Sequence, residues 1–241
     1  MLFLGVQEGI MIKRIPASDR HFQDFGWLKT YWLFSFDNYF DPENRQFGSI
    51  RAFNDDIVSA AKGFDMNRHR EMEIVSIILS GDITHEDSIG TSERIKAGEV
   101  QVMSAGTGIE HSEYNREDED LHLYQIWFMP NKRELKPSYQ QKDFSKIDRA
   151  NSLLAVASGS AIDGALLINS NSTLYLGNLE PGRQLEHSFD SQKKYFFYVR
   201  SGKLQVNDTE LSSGDQARIE NEASFTVSAT ETAEFVLAEL W

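Results

Sequence analysis

The sequence predicts an all-β protein. Short segments rich in β-branched and aromatic residues recur along its 241 residues, and glycine, aspartate and asparagine separate them. Many short strands at close spacing favour a sandwich or a barrel. Long stretches of helical periodicity are absent, and only the segment Asp143–Asn151 is compatible with a short helix. The clearest predicted strands are Glu73–Leu79, Glu99–Met103, Leu121–Met129, Ser172–Leu176, Tyr195–Arg200, Ala217–Ile219 and Glu234–Glu239.

A weak internal repeat predicts that the chain has two similar halves. The run IILSGDI, from Ile77 to Ile83, is echoed by YVRSGKL, from Tyr198 to Leu204. Each run is followed by a second glycine that precedes an acid, Gly98 in the first half and Gly214 in the second. The paired spacing favours duplication of a unit made of strands joined by glycine turns.

The linker between the halves is predicted near Pro130–Pro137, where prolines and charged residues collect and the apolar pattern lapses. We therefore predict two domains, residues 1–135 and 136–241. Residues 1–10 are mildly apolar and lack the basic region and cleavage site of a secretory signal. They are either an extra leader ahead of an alternative start at Met11 or a strand of the fold.

Composition excludes several classes of function. Lysine and arginine total 24 against 37 aspartates and glutamates, a formal charge of −13. This charge repels phosphate backbones, so we predict no nucleic-acid partner. The absence of cysteine excludes disulfides, thiolate metal sites and cysteine nucleophiles. Because no apolar run reaches the roughly 18 residues of a membrane span, we expect a soluble, cytoplasmic protein with no membrane partner.

Two short runs in the first half carry candidate metal ligands: Asn67 with His69, and His111 with Glu113. In an extended strand, residues two apart share a face, so each run aims two side chains in one direction. If the two strands face each other across a barrel, an amide, two imidazoles and a carboxylate converge. Two histidines and a carboxylate are the ligand set of non-haem Fe(II) oxygenases. The spacing therefore predicts a metal site, with Asn67 as its weakest member.

Several blocks of the first half resemble a known family. They are Gly26–Leu28, Phe34–Pro42, Asn54–Asp56, Met103–Asn115 and Leu121–Trp127. With these blocks the chain resembles the cupin superfamily, and more closely the pirin-like bicupins, which include bacterial members with quercetin 2,3-dioxygenase activity. The resemblance covers roughly residues 11–144 and rests on the repeat pattern beyond that range.

The resemblance implies a bicupin, which is two double-stranded β-helix (jelly-roll) barrels in one chain. It also implies one metal, usually iron, held in the first barrel by three histidines and a glutamate. Carried over by position, these ligands fall on Asn67, His69, His111 and Glu113, so asparagine replaces one histidine. The second half has no such set at the corresponding positions, so we expect a degenerate barrel without metal ligands.

The leading functional hypothesis is therefore a quercetin 2,3-dioxygenase-like enzyme that uses one divalent metal, Fe(II), on a small flavonol-like aromatic substrate. His69, His111 and Glu113 would hold the metal, and Glu113 would act as the catalytic base. Two alternatives stay open. One is a metal- or redox-sensing module that binds a protein partner, as a transcriptional coregulator does; the other is a metal-free, vestigial bicupin, which Asn67 favours. His85 is interpreted as a turn residue that bonds the nearby backbone.

Overall fold

The computed structural model of the protein describes residues 11–221 and 224–241, and this part of the chain is almost entirely β-structure. Residues 1–10, predicted as a leader or a strand, lie outside it. Within the described ranges, the single helical element is the 3-10 turn Ala17–Asp19, and no helix is long and apolar enough to cross a membrane. The strands, in chain order, are β1 Met11–Ile15, β2 His21–Asp24, β3 Leu28–Trp32, β4 Ile50–Val58, β5 Gly63–His69, β6 Glu73–Ser80, β7 Asp82–Asp87, β8 Ser92–Lys96, β9 Glu99–Ser104, β10 Ile109–Tyr114, β11 Leu121–Phe128, β12 Ser138–Asp143, β13 Ser152–Ser158, β14 Leu166–Leu167, β15 Thr173–Leu179, β16 Lys194–Ser201, β17 Lys203–Val206, β18 Thr209–Ser212, β19 Gln216–Glu220, β20 Val227–Ala229 and β21 Ala233–Leu240.

The strands form two barrels, as predicted. A seven-stranded sheet, ordered β12-β9-β6-β11-β4-β3-β2, and a four-stranded sheet, β5-β10-β7-β8, build the first barrel. A seven-stranded sheet, β1-β19-β16-β21-β15-β13-β14, and a three-stranded sheet, β18-β17-β20, build the second. The predicted strands are all present, with ends that differ by a few residues.

The segment Asp143–Asn151 is not helical, so that prediction is wrong. Asp143 ends β12, and its carboxylate accepts hydrogen bonds from the backbone N–H and the hydroxyl of Ser145. The carboxylate of Asp148 likewise accepts the backbone N–H of Ala150. Such local bonds to aspartate give the backbone an alternative to helical pairing, and turns result.

The two seven-stranded sheets pack against each other, and their facing side chains form one apolar cluster. Phe53 and Tyr124 of the first barrel and Phe196 and Tyr198 of the second belong to it. The rings of Phe53 and Phe196 lie 5.7 Å apart, centroid to centroid. Because the large sheet of the first barrel is covered on both faces, β6 reads as a nearly continuous apolar run.

Each barrel contains one strand from beyond the predicted linker. β1 pairs antiparallel with β19 of the second barrel, from Met11 opposite Glu220 to Ile15 opposite Gln216. β12 follows the linker and pairs with β9 of the first barrel, from Ser138 opposite Ser104 to Asp143 opposite Glu99. The division at residue 135 stays a prediction, and the strand pairing crosses it in both directions.

The interiors of the two barrels differ in chemistry. The second is filled by apolar side chains such as Phe197, Leu204 and Leu237. The first has two separate apolar clusters, and on β6 Ile74 belongs to one and Ile78 to the other. Ser76, which shares their face of the strand, lies between them. A polar layer therefore divides the interior of the first barrel.

Candidate metal centre and pocket

The polar layer is a row of side chains in register across the large sheet of the first barrel. Gln125 on β11 lies opposite Asn54 on β4 and opposite Ser76 on β6. Ser76 lies in turn opposite Gln101 on β9. Asn54, Ser76 and Gln101 are buried. These four strands thus give the barrel a polar floor at one level.

The facing sheet aims the predicted ligands at this floor. On β10, His111 lies opposite Asn67 of β5, and Glu113 lies opposite Phe64. The change of register means that β5 carries one extra residue between Phe64 and Asn67, a bulge of the kind that re-aims side chains beside active sites. His69 ends β5 opposite Ile109. Because side chains alternate along a strand, Asn67 and His69 of β5 share one face, as do His111 and Glu113 of β10. All four line the pocket inside the barrel.

His111 lies at the centre of a group of three imidazoles. Its ring centroid is 4.9 Å from that of His69 and 5.2 Å from that of His85. The Nδ1 atoms of His111 and His85 are 3.5 Å apart, and His85 Nδ1 lies 3.8 Å from Glu113 Oε1. His85, His111 and Glu113 offer ligand atoms that all lie within 4.8 Å of one another.

His85 is a site residue that sequence reasoning missed. The sequence predicts a turn residue at this position, but His85 lies within β7, opposite Glu113 of β10, and is fully buried. Its Nε2 is 3.0 Å from Asp87 Oδ2, so it bonds a side chain and not the nearby backbone. The available signal was alternation, since Ile83 and His85 are the buried positions of this strand.

The carboxylate of Glu113 is held by two glutamines of the polar floor. Gln125 Nε2 donates to Glu113 Oε2 over 2.9 Å, and Gln101 Nε2 donates to Oε1. Gln101 Nε2 also donates to the Ser76 hydroxyl at 3.2 Å, and Trp127 Nε1 donates to Gln125 Oε1 at 2.9 Å. Both amides are thereby oriented with their N–H groups toward Glu113. These glutamines were also missed, because single polar residues in apolar strands do not reveal their partners.

Burial and neighbouring charges set the protonation of this group. Burial lowers the pKa of His69 to about 4, and His111 acts in the same direction. Burial also lowers the pKa of His111, against the charge of Glu113. For Glu113, burial alone would raise the pKa, but the contact with His85 and its other neighbours outweigh it and lower the pKa to about 2. For His85, burial opposes protonation, but Glu113 and Asp87 outweigh it and raise the pKa.

The predicted ligands open onto a large pocket in the first barrel. The pocket has a volume of about 710 Å³, and its lining includes Asn67, His69, His111 and Glu113. Asn67 is exposed at this lining, whereas His111 and Glu113 are buried. The remaining walls combine aromatic and polar side chains, namely Phe25, Trp27, Leu28, Trp32, Phe36, Asp37, Arg51, Asn54, Asp56, Phe64, Asp65, Met72, Gln125 and Trp127.

The donors around His111 can hold a divalent metal. Among the described residues, His85, His111 and Glu113 form the group whose ligand atoms all lie within 4.8 Å of one another; His69 is outside this group, with its ring centroid 4.9 Å from that of His111. Two imidazoles with depressed pKa values present free lone pairs near neutral pH, and Glu113 is ionised. These are the protonation states that a cation requires of its ligands. A carboxylate has about four acceptor positions, so the two glutamines leave Glu113 able to bind an ion. The arrangement is that of a cupin-type metal centre in the first barrel.

Comparison with known proteins agrees with this class. The family model described as Pirin matches residues 16–128, and the model described as the quercetinase C-terminal cupin domain matches residues 155–240. A Zymomonas mobilis protein, whose name gives quercetin 2,3-dioxygenase as a provisional activity, is 40% identical over 94% of this chain and 97% of its own. The quercetin 2,3-dioxygenase of Escherichia coli K12 is 37% identical over 95% of this chain and 99% of its own.

A solved structure is similar over the same extent. The bacterial pirin YhhW of Escherichia coli, in complex with nickel(II), has a TM-score of 0.90 and 37% identity, covering 95% of this chain and 99% of that one. This chain belongs to the pirin family of bicupins.

Proposed function

We propose that this protein is a metal-dependent dioxygenase that acts on a flavonol or a similar enol-bearing aromatic, with Fe(II) as the metal. The observation that carries the proposal is the position of His69, His111 and Glu113 on the lining of one aromatic pocket. A nickel complex of a relative and relatives named quercetin 2,3-dioxygenase support it.

His69, His111 and Glu113 would hold the metal. We assign the pocket-side histidine, His69, in preference to His85, because His69 lines the pocket and His85 is fully buried. Against the effect of burial, Glu113 and Asp87 also raise the pKa of His85, which favours its protonated form, and a protonated imidazole cannot bind a cation. His85 then positions Glu113 from behind, at 3.8 Å from its Oε1. Asn67 lies beside His111 at the pocket and would contribute a neutral oxygen, a weaker partner for Fe(II) than an imidazole.

The side chains around the metal centre have separate roles in the proposed reaction, in proton transfer, in positioning and in binding the substrate. When bound, a divalent metal supplies Lewis-acid stabilisation of the negative charge on a deprotonated enol. Because its pKa is about 2, Glu113 is a weak base, and it would accept the proton only of a hydroxyl that a bound cation makes more acidic. Gln101 and Gln125 keep its carboxylate aimed at the pocket. The aromatic walls, including Trp27 and Trp127, bind the rings of the substrate and exclude water from them.

The test is metal loading followed by turnover. Protein loaded anaerobically with Fe(II) should bind one metal per chain and, once oxygen is admitted, consume it together with quercetin. His111→Ala should abolish both, because it removes the central imidazole. The matched control is His187→Ala, a histidine of the second barrel. Failure of the wild-type protein to bind metal under any loading would contradict the proposal.

A further inference from the structure

Strand β4 presents two polar side chains to the pocket that the chemistry above does not use. Asn54 and Asp56 are two residues apart, so they share one face of the strand, and both line the pocket. They are only 4% and 3% exposed. Asn54 lies next to Gln125 in the sheet, so these groups flank the residue that holds Glu113.

Both side chains carry an oxygen without a partner. Among the described residues, neither Asn54 Oδ1 nor Asp56 Oδ1 has a hydrogen bond within distance and angle limits; the buried Thr30 hydroxyl, opposite Asp56 on β3, is likewise unpaired and is the nearest protein donor to Asp56. Buried polar atoms are nearly always paired, because an unpaired one costs free energy, so an exception calls for an explanation such as a ligand. The intervening Asp55 faces the other way and is fully paired, at 2.6 Å each from the Tyr198 hydroxyl and His122 Nε2.

The surroundings of the two oxygens favour a neutral hydrogen-bond donor, such as a hydroxyl group, over a cation. Burial raises the pKa of Asp56 to about 7; the Thr30 hydroxyl opposes this, whereas Asp55 and Glu113 reinforce it. A carboxyl group that is partly neutral near pH 7 suits an O–H group better than a cation. Next to Asn54, on β3, lies Trp32, which also lines the pocket. An aromatic ring at the pocket wall suits a flat, aromatic ligand.

We infer that Asn54 and Asp56 form a subsite that accepts hydrogen bonds from further hydroxyl groups of an aromatic ligand, beyond the hydroxyl that meets Glu113. This inference rests on the proposed function, because it assigns a polyhydroxylated aromatic to the same pocket. The two residues would determine specificity and position the ligand, and they would take no part in the proton transfer. A site built to pair a hydroxyl discriminates strongly against the analogue that lacks it.

The experiment compares quercetin with 3-hydroxyflavone. The latter keeps the 3-hydroxyl and 4-keto groups and lacks every other hydroxyl. Binding is followed under argon by quenching of tryptophan fluorescence, on full-length protein with and without Fe(II). The wild-type protein should bind quercetin at least about 10-fold more tightly than 3-hydroxyflavone. Asn54→Leu and Asp56→Leu should each reduce this ratio, and the double variant should bring it close to one.

Gln205→Leu, on β17 of the second barrel, is the control, since it replaces a polar side chain far from the pocket with leucine; the ratio should be unchanged. The two leucine variants on β4 test the inference independently, and near-ultraviolet circular dichroism reports their folding. An equal ratio in wild-type and folded variants, or no preference for quercetin in the wild type, would overturn the inference. A preserved preference without oxygen uptake would refute the proposed reaction and leave the subsite standing.

Discussion

Gln125 donates a hydrogen bond from Nε2 to Oε2 of Glu113 over 2.9 Å, and its own Oε1 accepts the indole N–H of Trp127. The second bond fixes the orientation of the amide, so its N–H group cannot turn away from the carboxylate. Trp127 also lines the pocket. Trp127 would therefore contact the substrate and also, through Gln125, hold the carboxylate of Glu113 in position.

Gln125→Leu should weaken metal binding by about 10- to 100-fold, the usual effect of losing a group that orients a ligand. The reason is that Oε2 of Glu113 loses its donor and the carboxylate can rotate. Competition with a chelator measures the dissociation constant. Gln205→Leu, on β17 of the second barrel, is the control and should leave it unchanged. Unaltered metal affinity in Gln125→Leu would show that Gln101 alone holds the acid.

The two histidines that flank His111 should respond differently to substitution. His69→Ala should remove stoichiometric Fe(II) binding, because it deletes the imidazole that faces the pocket. His85→Gln should retain the metal with reduced affinity, since Glu113 loses its support from behind. Metal content per chain, measured by elemental analysis, separates the two outcomes. Loss of metal in His85→Gln but not in His69→Ala would make His85, His111 and Glu113 the ligand set.

Asn67→His should raise metal affinity, by at least about 10-fold, because an imidazole nitrogen replaces a neutral amide oxygen beside His111. Asn67→Gln, which keeps the amide, is the matched control and should not gain affinity. Fe(II) titration against a chelator measures both variants. No gain in Asn67→His would mean that position 67 does not reach the metal and that the native site is complete without it.

Asp56 should make the stability of the metal-free protein depend on pH. Its pKa rises from 3.8 to about 7 on folding, so the folded state favours the neutral carboxyl. Stability from this group is fully present below pH 4 and is lost as the pH rises through 7, by up to about 4 kcal/mol. Urea unfolding at several pH values should show a shallower decline in Asp56→Leu than in wild type. Parallel curves for the two proteins would contradict this prediction.

The sequence was informative where local spacing determines the outcome. The β-branched and aromatic segments identified the strands, and the two-residue spacing of His111 and Glu113 placed both on one face. The internal repeat and the matched blocks predicted two cupin barrels. Local spacing also brought Asn67 and His69 to the pocket, although it did not reveal the bulge that precedes them on β5.

Other parts of the site depend on contacts between distant segments. His85 faces Glu113 only because β7 pairs with β10, and Gln101 reaches Glu113 from another sheet. Neither contact can be predicted from the spacing of residues along the chain. The failed helix at Asp143–Asn151 has the opposite cause, since local bonds from Asp143 and Asp148 outweigh a weak helical pattern.

The crossed pairing of β1 and β12 has a consequence for biosynthesis. Strand β1, which begins at Met11, can pair only after β19 has been synthesised. The edge of β9 stays uncovered until Asp143 has left the ribosome, and an uncovered edge invites pairing with other chains. Neither half can be completed from its own side of the linker, so a ribosome that stalls between them would release a chain prone to aggregate.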